Sequence, residues 1–224
     1  MTITILEVGP SATLQDFGRY GYQRYGMPTS GPMDTFAFEA ANILVDNEVN
    51  TTTIEFTAPG ITFWTHEPML IAATGPGIKL YIEEEEFPTW MSLFIRKNRR
   101  VRIEKTGEGM WGYLAVSGGF NVPRVMGSTS TYLRARIGGL EGRRLQVDDV
   151  LAVGTPDVDL TTAAGRIFTA DKTPNYSASP TLRVIMGPQA EAFTQKGIQI
   201  FLSQDYEIQL DSDRMGYRTE GAQI

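Results

Sequence analysis

Two short stretches of this sequence carry residue types suited to handling a small polar molecule. Gln15-Asp16-Phe17-Gly18-Arg19-Tyr20-Gly21-Tyr22 sets a carboxylate and a guanidinium three residues apart beside aromatic rings. Gly127-Ser128-Thr129-Ser130-Thr131-Tyr132-Leu133-Arg134 sets hydroxyl donors next to an arginine. Arg143 and Arg214 add planar donors that can grip a carboxylate or phosphate through two parallel hydrogen bonds. Together these residues suit an anionic or amide-bearing substrate. Asp16 and Arg19 could equally pair and pin a loop, and residue types alone do not choose between the two readings.

Other chemistries are poorly served. The chain has no cysteine, which removes disulfides, thiolate zinc sites and cysteine nucleophiles. His66 is the single histidine, and the turn-like Trp64-Thr65-His66-Glu67-Pro68 around it has no nucleophile elbow nearby, so a solvent-facing turn residue is expected. With one histidine and no cysteine no metal ligands are assigned, although an all-carboxylate Mg²⁺ site stays open. The acidic run Glu83 to Glu86 reads as a solvated hairpin tip; the basic run Arg96, Lys97, Arg99, Arg100 and Arg102 around Asn98 reads as a charged hairpin that protects a sheet edge, ahead of an interface with an acidic partner. Ser117-Gly118-Gly119 and Gly138-Gly139-Leu140-Glu141-Gly142-Arg143 lack a Gly-Lys-Ser/Thr ending, so neither is a Walker loop. Their glycines read equally well as tight β turns or as backbone that approaches a ligand closely.

Strand signals dominate the elements that must position these residues. Short β-prone runs at Ile3–Val8, Thr52–Thr57, Ile61–Trp64, Met69–Ala73, Lys79–Ile82, Ser92–Ile95, Val101–Glu104 and Tyr113–Val116 are separated by turn residues, which points to a barrel or sandwich. One helix is predicted from Asp34 to about Asp46, with Asp34 as cap and Ala37, Ala40, Ala41 and Leu44 on one face. Composition divides the chain into a first β lobe over 1–154, a Thr-, Ala-, Asp-, Ser- and Pro-rich linker over 155–180, and a second lobe over 181–224. That second lobe is expected to hold a strand at Leu182–Met186, a helix around Glu191–Ser203 and a strand near Glu207–Leu210.

The 224 residues are 42% hydrophobic and 21% charged, with a formal net charge of -6. That is ample for a sizeable core, and the acidic balance argues against nucleic acid or anionic membrane as partner. The strand-like N-terminus and the absence of an apolar run of roughly 20 residues lead to the expectation of a cytoplasmic protein.

Several motifs match a known family in order: Thr13-Leu14-Gln15-Asp16-Phe17-Gly18-Arg19, Gly31-Pro32-Met33-Asp34, Asn42-Ile43-Leu44-Val45, Ile54-Glu55, Tyr113-Leu114-Ala115-Val116-Ser117-Gly118-Gly119, Val122-Pro123, Met126-Gly127-Ser128, Gly138-Gly139-Leu140-Glu141-Gly142-Arg143 and Asp213-Arg214-Met215-Gly216-Tyr217-Arg218. The sequence resembles the carboxyltransferase-domain family, which takes in the C-type component of 5-oxoprolinase, the Kip inhibitor antagonist, allophanate hydrolase subunit 2 and the carboxyltransferase region of urea carboxylase. The resemblance implies a mainly β chain with a few helices, in a cyclophilin-like β-barrel fold of two lobes. Family members continue past the position of Ile224, so the second lobe is expected to be truncated here. It further implies ATP-dependent hydrolysis of the 5-oxoproline lactam, shared with a partner subunit of related fold (the B-type component, or Kip inhibitor type) and a third subunit of different fold. The alternatives are carboxyl transfer to urea, with biotin carried on another protein, and a non-catalytic antagonist of a Kip-inhibitor-like partner. Under the leading reading Asp16, Arg19, Ser128 and Ser130 are expected to be catalytic, with Arg134, Arg143, Arg214 and Tyr217 binding substrate.

Overall fold

In β1 (Thr2–Val8), Ile3 and Ile5 are buried while Thr2, Thr4 and Glu7 are not, the two-residue period of a strand with one face on a core. The same logic repeats along the computed structural model, which describes residues 1–107, 109–177, 179–210, 212–214 and 216–224. Met215 of the Asp213–Arg218 motif lies outside the described residues.

Two compact units form, Met1–Ala178 and Ser179–Ile224. The first holds β1, β2 (Ala12–Gln15), α1 (Thr35–Leu44), β3 (Thr53–Phe56), β4 (Gly60–Thr65), β5 (Met69–Thr74), β6 (Ile78–Ile82), β7 (Glu85–Phe87), β8 (Ser92–Ile95), β9 (Arg99–Lys105), β10 (Gly112–Val116) and β11 (Val150–Ala152). These make a six-stranded sheet, β11-β1-β4-β9-β6-β7, and a five-stranded sheet, β2-β3-β10-β5-β8. All the pairings are antiparallel. Ile5, Phe63 and Leu80 of the first sheet and Leu14, Phe56 and Ile71 of the second belong to one buried cluster. The mainly β expectation holds, in the form of two antiparallel sheets around a shared core.

The five-stranded sheet is covered on its other face as well. Leu70, Ala72, Tyr113 and Ala115 pack with Ala37, Phe38, Ala40, Ala41 and Leu44 of α1. The small alanines let helix and sheet approach closely, and burial on both faces explains why all six residues of β5 are buried. Asp34 caps α1 as expected, its side chain accepting from the Ala37 N–H at 3.0 Å. Asp46 then turns the chain with φ of 61°.

The charged runs behave differently from each other. Glu83 takes φ of 54° and tips the β6–β7 hairpin, so Glu85–Phe87 is a short charged edge strand. Asn98 (φ 58°) instead joins β8 to β9, which lie in different sheets; the basic run is a corner between sheets rather than a hairpin. The two runs meet through Arg99–Glu83 and Arg100–Glu84, each at 3.8 Å. Such exposed pairs contribute at most about 1 kcal/mol each. His66 is exposed, with Nε2 2.8 Å from Thr4 Oγ1.

Residues 155–177, expected as a linker, lie over α1 as a strap. Val158, Leu160, Ala163 and Phe168 pack against the helix cluster, the Ser92 hydroxyl donates to Ala163 O at 3.0 Å, and the Tyr176 hydroxyl donates to Asp34 Oδ2 at 2.6 Å. Thr-, Ser- and Pro-rich composition hid the few apolar anchors that hold it. Tyr176→Phe removes one charge-assisted hydrogen bond and is expected to loosen the strap by about 1–2 kcal/mol. Hydrogen exchange should rise over 155–177 while the strand amides stay protected; unchanged exchange there would refute the latch.

The second unit contains α2 (Gln195–Ser203), capped by Thr194, and the pair β12 (Tyr206–Ile208) and β13 (Thr219–Gly221). The strand expected at 182–186 is not formed among the described residues. Leu182 is 77% and Ile185 97% exposed, and β propensity without a neighbouring strand to share hydrogen bonds does not make a ladder. Val184, Ile185, Met186, Phe193, Phe201 and Ile224 help line an apolar hollow of about 320 Å³. No helix among the described residues is long and apolar enough to cross a membrane.

Candidate functional site

Antiparallel pairing brings the C-terminal end of β2, the N-terminal end of β3 and the C-terminal end of β10 to one rim of the five-stranded sheet. The loops that leave this rim carry Asp16, Arg19, Asn47–Thr52 and Ser117–Asn121. The segment Ser128–Thr131 arrives there from far along the chain, with Thr131 N–H and Oγ1 both bonding Leu14 O on the open edge of β2.

Asp16 organises this rim. It is 1% exposed. Its Oδ1 accepts from Ser128 Oγ (2.5 Å), Ser130 Oγ (2.7 Å) and Gly18 N (2.9 Å), and its Oδ2 from Thr129 N (2.8 Å). Burial pushes the carboxyl upward, but the hydrogen bonds from Ser128, Ser130, Thr129 and Gly18 outweigh it and hold the pKa below the usual carboxylate value. Arg19 is equally buried. Its guanidinium donates to Ser130 O and, at 3.1 Å, to Ser30 Oγ, tying the 17–31 loop to the 128–131 segment. Burial lowers its pKa, opposed by the charge of Asp16.

Asp16, Arg19, Ser128 and Ser130 are therefore brought together, as a buried clamp whose hydrogen-bonding capacity is turned inward. Arg143 stands elsewhere. Both its terminal nitrogens donate to Asp149 at 2.8 Å, which raises the arginine pKa and lowers that of Asp149 against the upward push of burial; these donors close the 141–149 loop. Arg134 is exposed in the turn bridged by Tyr132 and Ile137. Arg214 and Tyr217 belong to the second unit. Burial lowers the pKa of Arg214 to about 10, with Tyr217 opposing, and Tyr217 is exposed.

Beside the clamp lies a cavity of about 250 Å³ bordered by Glu48, Asn50, Thr52, Asn121, Arg124 and Thr129, together with Gly118, Gly119 and Gly154. The clamp reaches it through Thr129, whose N–H is held by Asp16 and whose hydroxyl lies 2.7 Å from that of Thr52. Gly118 and Gly119 adopt φ of 89° and 67°; a Cβ would meet Gly154 O at 2.6 Å and Thr51 Cγ2 at 2.2 Å respectively. Here the glycine pair lets its backbone approach the Gly154 carbonyl and the Thr51 side chain this closely.

Sequence reasoning saw Asn47 as a helix stop and gave none of the asparagines around this cavity a place in the site. Asn47 donates to Val116 O (2.9 Å) and accepts from Gly118 N (2.8 Å), while Asn50 Oδ1 accepts from Phe17 N at 2.6 Å. Asn42 donates to Thr51 O at 2.9 Å. The signal was the density of side-chain amides in the last turn of a helix and just after it, since such groups replace missing backbone partners in loops. A second unanticipated cluster fixes the start of α1: Glu55 Oε2 accepts from Tyr113 Oη and from Met33 N, each at 2.8 Å, and Tyr113 Oη accepts from Asp34 N at 2.7 Å. Burial raises the Tyr113 pKa.

Residues 25–224 match the family described as "Carboxyltransferase domain, subdomain A and B". The chain is 34% identical over 224 residues to the C-type component of the 5-oxoprolinase of Haemophilus influenzae, covering 98% of this chain and 68% of that protein. It is 31% identical over 225 residues to urea amidolyase of Saccharomyces cerevisiae, covering 98% of this chain and 12% of that protein. Among solved structures, TTHA0988 superposes with a TM-score of 0.84 at 29% identity, over 100% of this chain and 43% of that one. The Kluyveromyces lactis urea amidolyase superposes with a TM-score of 0.82 at 27% identity, over 99% of this chain and 14% of that one. The matched motifs, the shared fold and a single polar rim at which Asp16, the Gly118–Gly119 pair and Ser128–Ser130 converge agree: this chain belongs to the carboxyltransferase domain family, subdomains A and B.

Proposed function

We propose that this chain is the C-type component of a multi-subunit 5-oxoprolinase, which opens the 5-oxoproline lactam to glutamate with hydrolysis of ATP. The observation that carries the reading is the 34% identity to the Haemophilus influenzae 5-oxoprolinase component across nearly the whole chain, and the polar rim cavity supports it. An unstrained lactam becomes labile once its oxygen is phosphorylated, and donors fixed around that oxygen stabilise the charge that develops. In this reading Asp16, Arg19, Ser128 and Ser130 are positioning residues that hold Thr129 and the loop backbones around the cavity. Partner subunits, one of related fold and one of different fold, supply the ATP site, and the complex works in the cytoplasm. The test is 5-oxoproline-dependent ATP hydrolysis by the co-expressed subunits with and without this chain. Turnover that requires the chain is expected; equal rates in the two preparations would defeat the reading.

A second reading rests on the yeast urea amidolyase match, which also covers 98% of this chain. In it the same rim accepts a carboxyl group from carboxybiotin delivered on another protein and passes it to urea. Urea-dependent consumption of carboxybiotin, with no response to 5-oxoproline, would favour it.

A further inference from the structure

The rim cavity offers a particular pattern of donors and acceptors. The side-chain oxygen of Asn50 accepts from Phe17 N at 2.6 Å, and the NH₂ group on the same carbon brings two donors to the wall. Arg124 is held by a 3.3 Å hydrogen bond from its Nη1 to Gly127 O, and a guanidinium carries further N–H groups beyond the one used. The buried hydroxyls of Thr52 and Thr129 share one hydrogen bond at 2.7 Å in which either can donate. Among the described residues, Glu48 is the one carboxylate on the wall, and no lysine lines it.

A donor-rich wall with a single full positive charge recognises a ligand rich in acceptors but carrying one negative charge. A lone carboxylate in the same wall selects a ligand N–H and repels polyphosphate. At about 250 Å³ the cavity falls below the roughly 300–1,000 Å³ of sites for drug-sized ligands, which again disfavours a nucleotide.

Building on the proposed function, we infer that this cavity is the binding site for a small monocarboxylate that also carries an amide, with Arg124 taking the carboxylate, Asn50 donating to the amide oxygen and Glu48 accepting the amide N–H. Thr52 and Thr129 complete the wall, and the Asp16 clamp fixes it from behind. ATP then binds on another subunit.

The test compares 5-oxoproline, 2-pyrrolidinone (amide without carboxylate) and proline (carboxylate without amide), using NMR shift perturbation on the full chain and steady-state kinetics on the co-expressed complex. Arg124 is exposed, so Arg124→Gln should fold normally. Wild type is expected to shift the Asn50, Gly119, Asn121 and Thr129 amides with 5-oxoproline and to respond weakly to the other two compounds. Arg124→Gln should weaken 5-oxoproline about ten-fold or more, leave 2-pyrrolidinone unchanged, and raise the complex's KM for 5-oxoproline but not for ATP. An Arg124→Gln complex that turns over with an unchanged KM for 5-oxoproline overturns the site and leaves the proposed function standing. A wild-type complex without 5-oxoproline-dependent turnover overturns the function, and the shifts on the chain itself then decide the site. Shifts confined to other residues, or equal shifts with all three compounds, overturn it.

Discussion

Replacing Asp16 by alanine is expected to destabilise the first unit by about 3–5 kcal/mol, because buried donors lose their acceptor together. Ser128 Oγ, Ser130 Oγ, Thr129 N and Gly18 N all donate to this carboxylate, and the site is 1% exposed, so water cannot replace it without opening the rim. Trp64, Trp90 and Trp111 all lie in the first unit, so urea unfolding followed by tryptophan fluorescence reads the effect with no partner present. Asp16→Asn keeps the shape but substitutes a donor for one acceptor, and should be intermediate. The pH dependence has a definite sign. The folded carboxyl titrates below its unfolded value of 3.8, so its stabilisation is fully present above that pH and is lost as pH falls toward the folded pKa. Asp16→Ala should flatten this acid limb. A variant as stable as wild type in a complex that has lost turnover would place Asp16 in the chemistry instead of in the frame.

Gly138→Ala should be nearly as damaging, by about 3 kcal/mol. Gly138 holds φ of 70°, and a Cβ there would sit 2.0 Å from Ser130 O and 2.8 Å from the Arg19 guanidinium. Left-handed backbone strain of about 1–2 kcal/mol adds to overpacking of about 1–3 kcal/mol, and the carbonyl that must move is the one receiving Arg19. Gly127→Ala is the control. Gly127 also has positive φ, at 79°, but nothing lies within 4 Å of its added Cβ, so only the strain, about 1 kcal/mol, is expected. Equal losses in the two variants, measured by the same fluorescence unfolding, would show that the Ser130–Arg19 contact yields freely and that the clamp is loose.

What could be read from the residues follows the range of the forces involved. The α1 helix was legible because its determinants are local: Asp34 caps it and Ala37, Ala40, Ala41 and Leu44 recur at helical spacing. The longer strands were legible as β-prone runs between turn residues, with boundaries displaced by a residue or two. The short strands β2, β7 and β11 were not. Three or four residues carry too little pattern; β2 and β11 exist because a strand distant in sequence pairs with them, as Val150 pairs with Thr4, and β7 is the charged return of the β6 hairpin. The reverse error at 182–186 has the same origin: a β-prone run, but no paired strand among the described residues.

The mainly β class, the capped helix and the family could all be read from residue order, since each rests on local pattern or on ordered motifs. What Asp16 does could not, because the Ser128–Ser130 groups that bond it lie 112–114 residues away and only the folded sheet brings them to the same rim. Folding likewise settles that Arg143 belongs to Asp149 and that Asn50, Arg124 and Glu48 border one cavity. Hydrogen bonds and packing act over a few ångströms, and a chain shows which groups are that close only after it has folded.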